Sequence, residues 1–197
     1  MYNSNGFEMK ILETKRCILR PVSLKDAPNL FDYYKQDIVV KYLPFKKHET
    51  IFDTEKFIRL FFLKNYNEGK IGHYAIVLKK ENKVIGNVGF NNISISSKKG
   101  EMGICINPSY WGYDLSTELA EEMLRYGFND LNLEKIIAIT FEDNTYSQKA
   151  LENLGFHYVK TFNKNLKSKK IRNPIKCHEY EMLKINYINK FKLYKKG

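Results

Sequence analysis

The sequence predicts an α/β fold, and three stretches carry that expectation. In residues 101–128, Ile104 and Ile106 alternate with smaller or polar neighbours and Pro108 ends the extended run. Leu115, Leu119, Ala120, Met123, Leu124 and Phe128 then fall on one helical face, opposite Glu118, Glu121, Glu122 and Arg125. Residues 73–78 and 83–90 are β-type runs on either side of Glu81-Asn82, the pattern of a hairpin. Residues 144–155 open on Asn144 as a cap, carry Tyr146, Ala150, Leu151 and Leu154 as an apolar set, and stop at Gly155.

The remaining elements follow in order. Residues 16–21 read as a first strand, and Asp26 is placed to cap a helix running to Lys35, with Pro28 tolerated in its first turn. A second helix follows Thr50, whose spacing to Asp53 is that of a capping box, and it buries Phe57, Ile58 and Phe61. Residues 42–47 form the loop between these helices. Val84, Ile85, Val88 and Phe90 supply the buried surface of the hairpin, and residues 96–100 are a polar turn. Residues 135–141 are an apolar run bounded by polar residues, as in a buried strand. Residues 156–162 and 177–184 are the last two strands, joined by a basic loop.

A chain of 197 residues, 43% hydrophobic and 14% aromatic, supports one well-buried core and is short for two. Cys17, Cys105 and Cys177 are odd in number, far apart and each within a predicted strand. They read as reduced core residues of a cytoplasmic protein and have no metal-ligand spacing. No apolar run approaches the roughly 18 residues of a membrane span. The net charge of +11 is concentrated at one end, because residues 160–197 hold 12 Lys or Arg against 2 Glu, a net of +10. Such a segment is a solvated basic tail, or else a surface for nucleic acid, an acidic protein or phosphates.

A strand that turns directly into a helix leaves backbone N–H groups unpaired at the positive end of the helix dipole, a site suited to a diphosphate. Here the strand leads through Tyr110-Trp111-Gly112-Tyr113-Asp114-Leu115-Ser116, which resembles the acetyl-CoA signature of the GNAT acetyltransferase superfamily, in the form of its ribosomal-protein N-terminal acetyltransferase branch. Other pieces stand in the order of that branch: Leu19-Arg20-Pro21, Tyr42-Leu43-Pro44-Phe45, Val84-Ile85-Gly86, Glu101-Met102-Gly103, and Asn144 to Ser147 followed by Leu151 to Phe156. The resemblance implies a mixed, mostly antiparallel sheet flanked by helices over residues 11–184, with an N-terminal extension over 1–10 and a basic tail over 185–197. One place departs from the superfamily: Asp114 stands where Gly is usual, and Ser116 where a second small residue is usual.

The resemblance also assigns roles. Acetyl-CoA is the co-substrate and a primary amine, on a protein N-terminus or a small molecule, is the acceptor. The backbone of Ile104 and Ile106 pairs with the pantetheine amides, and Gly112, Tyr113, Asp114, Leu115, Ser116 and Thr117 supply the diphosphate site. Asn144 is a further cofactor contact or simply the helix cap, and Asp114 or Ser116 is equally an ordinary N-cap. Acetyl transfer requires a neutral amine, a stabilised oxyanion and a protonated leaving thiolate. Ser147 is the expected general acid, and Glu101 the expected base, with His73 an alternative. Backbone N–H groups of the central strand would hold the oxyanion. The tyrosine that many superfamily members use is replaced by Leu151. Two other functions compete with this reading. One is a non-catalytic binding module impaired at Asp114, and the other is an adaptor that docks on the ribosome or nucleic acid through the basic C-terminal segment.

Overall fold

The computed structural model describes residues 9–94, 96–166 and 173–193. In chain order the elements are β1 Leu12–Glu13, β2 Cys17–Pro21, α1 Ala27–Tyr34, α2 Asp37–Val40, α3 Ile51–Phe57, α4 Lys64–Asn67, β3 His73–Leu78, β4 Lys83–Ser94 and β5 Lys99–Ile106. They continue with α5 Leu115–Arg125, β6 Lys135–Phe141, α6 Thr145–Leu154, β7 His157–Lys164, β8 Ile175–Leu183 and α7 Lys184–Leu193. The strands form one sheet in the order β1-β2-β3-β4-β5-β6-β8-β7, antiparallel everywhere except between β5 and β6. This is the mixed, mostly antiparallel architecture expected from the sequence.

Strand alternation divides the apolar side chains between two faces. Tyr74, Ile76, Val88, Phe90 and Met102 pack against Leu119, Met123 and Leu124 of α5 and Leu151 and Leu154 of α6. On the other face Ala75, Val77 and Val84 pack against Leu30, Tyr33 and Tyr34 of α1 and Ile58 and Phe62. The helix after Thr50 starts as predicted, with Thr50 Oγ1 accepting from Asp53 N and Asp53 Oδ2 accepting from Thr50 N. Between α3 and α4, however, residues Ile58–Leu63 form a wider π-type turn. Its extra residue rotates the face, so Ile58 and Phe62 are buried while Phe57 and Phe61 are only half-buried.

Three other local expectations change. Asp26 makes no side-chain cap hydrogen bond to α1, because its carboxylate takes both Nη atoms of Arg20 at 2.7 and 2.8 Å and closes the capping box of the preceding turn by accepting from the Ser23 N–H at 2.8 Å. Strand β4 runs four residues past Phe90, and β5 starts at Lys99, so the polar turn is shorter than expected. The first part of the segment expected as a basic tail is α7, whose Tyr187 ring lies 5.0 Å from that of Phe128 and whose Lys190 Nζ donates to Asn153 O at 2.7 Å. Most of the expected N-terminal extension lies outside the described residues, but Met9 is buried in the main core.

Candidate active site

The site is built by a failure of two strands to stay together. Strands β5 and β6 pair only at Lys99 with Lys135, Gly100 with Ile136 and Glu101 with Ile137, although β5 continues to Ile106 and β6 to Phe141. From Met102 to Ile106 the outer edge of β5 therefore has no strand partner among the described residues. Ile104 and Ile106, the expected backbone partners of the pantetheine, lie on this edge. Ile104 is 36% exposed, whereas Ile106 is buried and its carbonyl already accepts the Trp111 indole N–H at 2.8 Å. On the β6 wall the hydroxyl of Thr140 is buried without a hydrogen-bond partner, a group that sequence patterning did not single out.

At the end of β5 a short turn, Pro108–Tyr110, leads into Gly112 and then α5. The chain enters left-handed backbone twice, at Gly112 with φ +82° and at Asp114 with φ +53°. Gly suits such a conformation and Asp tolerates it, which accounts for the superfamily's usual residue at position 114 and for the replacement found. The exposed Asp114 carboxylate makes no cap hydrogen bond. The expectation that Asp114 occupies the helix amides through its own side chain is thus corrected: the left-handed backbone accompanies an uncapped helix. Tyr113, Ser116 and Thr117 flank this turn with Ser116 half-buried, and Leu115 is buried in the core as the helix anchor.

The opposite wall is the start of α6. Asn144 Oδ1 accepts from Ser147 N at 3.2 Å, so Asn144 caps the helix as the sequence predicts. Ser147 sits in the first turn, half-buried, with no hydrogen bond to its hydroxyl among the described residues. Leu151 is buried one turn further on. The loop of residues 42–47 reaches across to β6, where the Tyr42 ring lies 6.2 Å from that of Phe141 and the Tyr42 hydroxyl donates to Asp143 O at 3.4 Å. Beside this loop is an open depression of about 820 Å³ lined in part by Asp37, Ile38, Phe45 and Glu49.

Glu101 and His73 are brought together on the α1 face of the sheet. His73 is 5% exposed, with its two ring nitrogens 2.9 Å from Asn87 Nδ2 and 2.8 Å from Asn91 Oδ1. Burial depresses its basicity, with pKa lowered to about 4. That corrects the expectation of His73 as an alternative base, because a buried imidazole with both nitrogens engaged does not reach a substrate proton. Glu101 is half-buried and accepts from Asn91 Nδ2 at 3.0 Å.

A family profile described as an acetyltransferase (GNAT) domain matches residues 16–157. The chain belongs to the GNAT family. This GNAT domain is 33% identical over 151 residues to the N-acetyltransferase p20 of Bacillus licheniformis, covering 75% of the chain and 83% of p20. It also resembles the solved GNAT-family acetyltransferase of Bacillus anthracis, at 26% identity and a TM-score of 0.75 over 89% of this chain and 99% of that one. A ribosomal L7/L12 α-N-protein acetyltransferase, RimL, solved with coenzyme A, shares the fold at 15% identity and a TM-score of 0.76, over 88% of this chain and 98% of that one. Among the described residues, no group of three His, Cys, Asp or Glu is placed to hold a metal ion, and no helix is long and apolar enough to cross a membrane.

Proposed function

We propose that this GNAT domain transfers the acetyl group of acetyl-CoA to a primary amine, on a protein N-terminus or a small molecule. The observation that carries the reading is the unpaired edge of β5 directly beside the uncapped start of α5. An extended chain of amides adds to such an edge as another strand would, and a diphosphate is held by free helix N-terminal amides. The residues present fit the co-substrate in both respects. In this reading Ile104 and Ile106 contribute backbone groups, and Gly112 to Thr117, Asp114 included, line the diphosphate. The free amide end of Asn144 adds a contact beyond its cap.

The chemistry is then divided among few groups. Glu101 takes the proton that the amine loses as its nitrogen bonds to the acetyl carbon. A backbone N–H of β5 donates to the carbonyl oxygen as it gains negative charge, and Ser147 gives a proton to the departing sulfur. The cytoplasmic placement expected from three free thiols belongs to the same reading. Calorimetric titration with acetyl-CoA tests the binding half, and millimolar co-substrate should raise the melting temperature by several degrees. Absence of both heat and shift would favour the non-catalytic module. Ser147→Ala tests the chemical half: turnover should fall about 10²-fold while acetyl-CoA affinity stays constant.

A further inference from the structure

Among the described residues a hydrogen-bonded chain of side chains starts in the core and ends at Glu101. The hydroxyls of Tyr33 and Tyr34, both on α1, donate to Asn87 Oδ1 at 2.9 and 2.7 Å. The same amide turns its Nδ2 to His73 Nδ1 at 2.9 Å. Since Nδ1 is the acceptor there, the ring proton lies on Nε2, which donates to Asn91 Oδ1 at 2.8 Å. Asn91 Nδ2 completes the chain by donating to Glu101 Oε1 at 3.0 Å. Every donor points toward the carboxylate, so each dipole polarises the next in the same sense.

The sheet is shaped to make this chain possible. Register shifts between Phe90 and Asn92, so Asn91 is the extra residue of a β-bulge opposite Met102 and Glu101. Such bulges re-aim a side chain, and this one aims Asn91 between His73 and Glu101. Two glycines keep the space clear. A Cβ on Gly89 would lie 2.4 Å from His73 Cα, and one on Gly103 would lie 3.1 Å from Asn91 Nδ2 and 3.3 Å from His73 Cε1. The Tyr66 hydroxyl donates to the His73 carbonyl and fixes the strand end from the other side.

We propose that Asn91 and His73 are positioning residues that hold the Glu101 carboxylate in the orientation from which it accepts the amine proton. The proposal rests on the reading of Glu101 as the base. Asn91 is exposed, so its replacement removes the link without opening the core. Turnover is followed as thiol release from acetyl-CoA, with the amine accepted best from a panel of peptide N-termini and polyamines. Asn91→Leu should lower kcat about 10-fold with the KM for acetyl-CoA unchanged. In a Glu101→Gln background the same substitution should cost nothing, because there is no carboxylate left to orient. Losses that simply add would overturn the proposal alone. If Glu101→Gln leaves turnover intact, the base assignment fails and the proposal fails with it. Nitrogen NMR of His73 gives an answer independent of turnover: the expected state is protonated at Nε2 with Nδ1 bare, and a ring protonated at Nδ1 would reverse the chain and overturn it.

Discussion

Arg16 and Glu118 are joined twice: Arg16 Nε lies 2.6 Å from Glu118 Oε2, and the Arg16 backbone N–H donates to Glu118 Oε1 at 2.7 Å. The same guanidinium donates through Nη1 to the carbonyl of Tyr113 at 2.6 Å. One side chain from the β1–β2 turn thus ties the first turn of α5 to the residue just before Asp114. Burial alone would push the Glu118 carboxyl up, but hydrogen bonds from Thr14 and Arg16 outweigh it and hold the group below the ordinary range.

Arg16→Ala should therefore loosen the turn proposed to hold the diphosphate. Arg16 is 39% exposed, so solvent screening limits the stability loss to about 1 kcal/mol. The effect on the site should be larger. Affinity for acetyl-CoA, measured by titration, should drop about 10-fold as the turn samples other conformations before binding. Unchanged affinity would mean that α5 packing alone sets the turn.

Stability should fall as the solution is acidified through the histidine range. His73 is neutral in the folded protein because burial lowers its pKa from an ordinary 6.5 to about 4, partly offset by the Asn91 hydrogen bond and the Glu101 charge. Burial lowers His48 in the same direction. Between these pH values the unfolded chain binds more protons than the folded one, so the folded state is favoured above about pH 6.5 and loses ground toward pH 4. For His73 alone the loss on going from pH 7 to pH 5 is about 2 kcal/mol. Urea midpoints across this range should show it, and His73→Gln should flatten the dependence. A slope that survives in the mutant would assign the effect elsewhere.

These features differ in how visible they are from the sequence. The strand-turn-helix around Trp111 was readable because Ile104, Ile106 and the Leu115 to Phe128 series each follow the period of one element. Asn144 and Gly155 were readable because they act on their immediate neighbours. Arg16 was not, because its partner Tyr113 lies 97 residues away and no local pattern links them. Asn91 was hidden differently. Its role depends on a one-residue register shift between β4 and β5, and the Asn91-Asn92 pair interrupting an apolar strand was the one local trace of it. Thr140 within its apolar run gave no signal that its hydroxyl would be left without a partner.

Asp114 is the residue at which sequence and structure lead to different expectations for one experiment. As an N-cap it would stabilise the helix through its side chain, and Asp114→Gly would melt slightly lower. The structure removes that argument, since the side chain makes no cap hydrogen bond and the backbone is left-handed at φ +53°. Gly adopts this conformation without steric cost, which offsets its greater freedom in the unfolded chain. The melting temperature of the unliganded mutant should accordingly be unchanged or higher. Binding should improve as well. A carboxylate within about 5 Å of a diphosphate costs roughly 1–3 kcal/mol at intermediate screening, so its removal should tighten acetyl-CoA by about 10-fold. The gain should shrink as salt is raised, because the repulsion acts between exposed charges. A weaker complex would instead show that Asp114 shapes the turn or holds a cation against the phosphates.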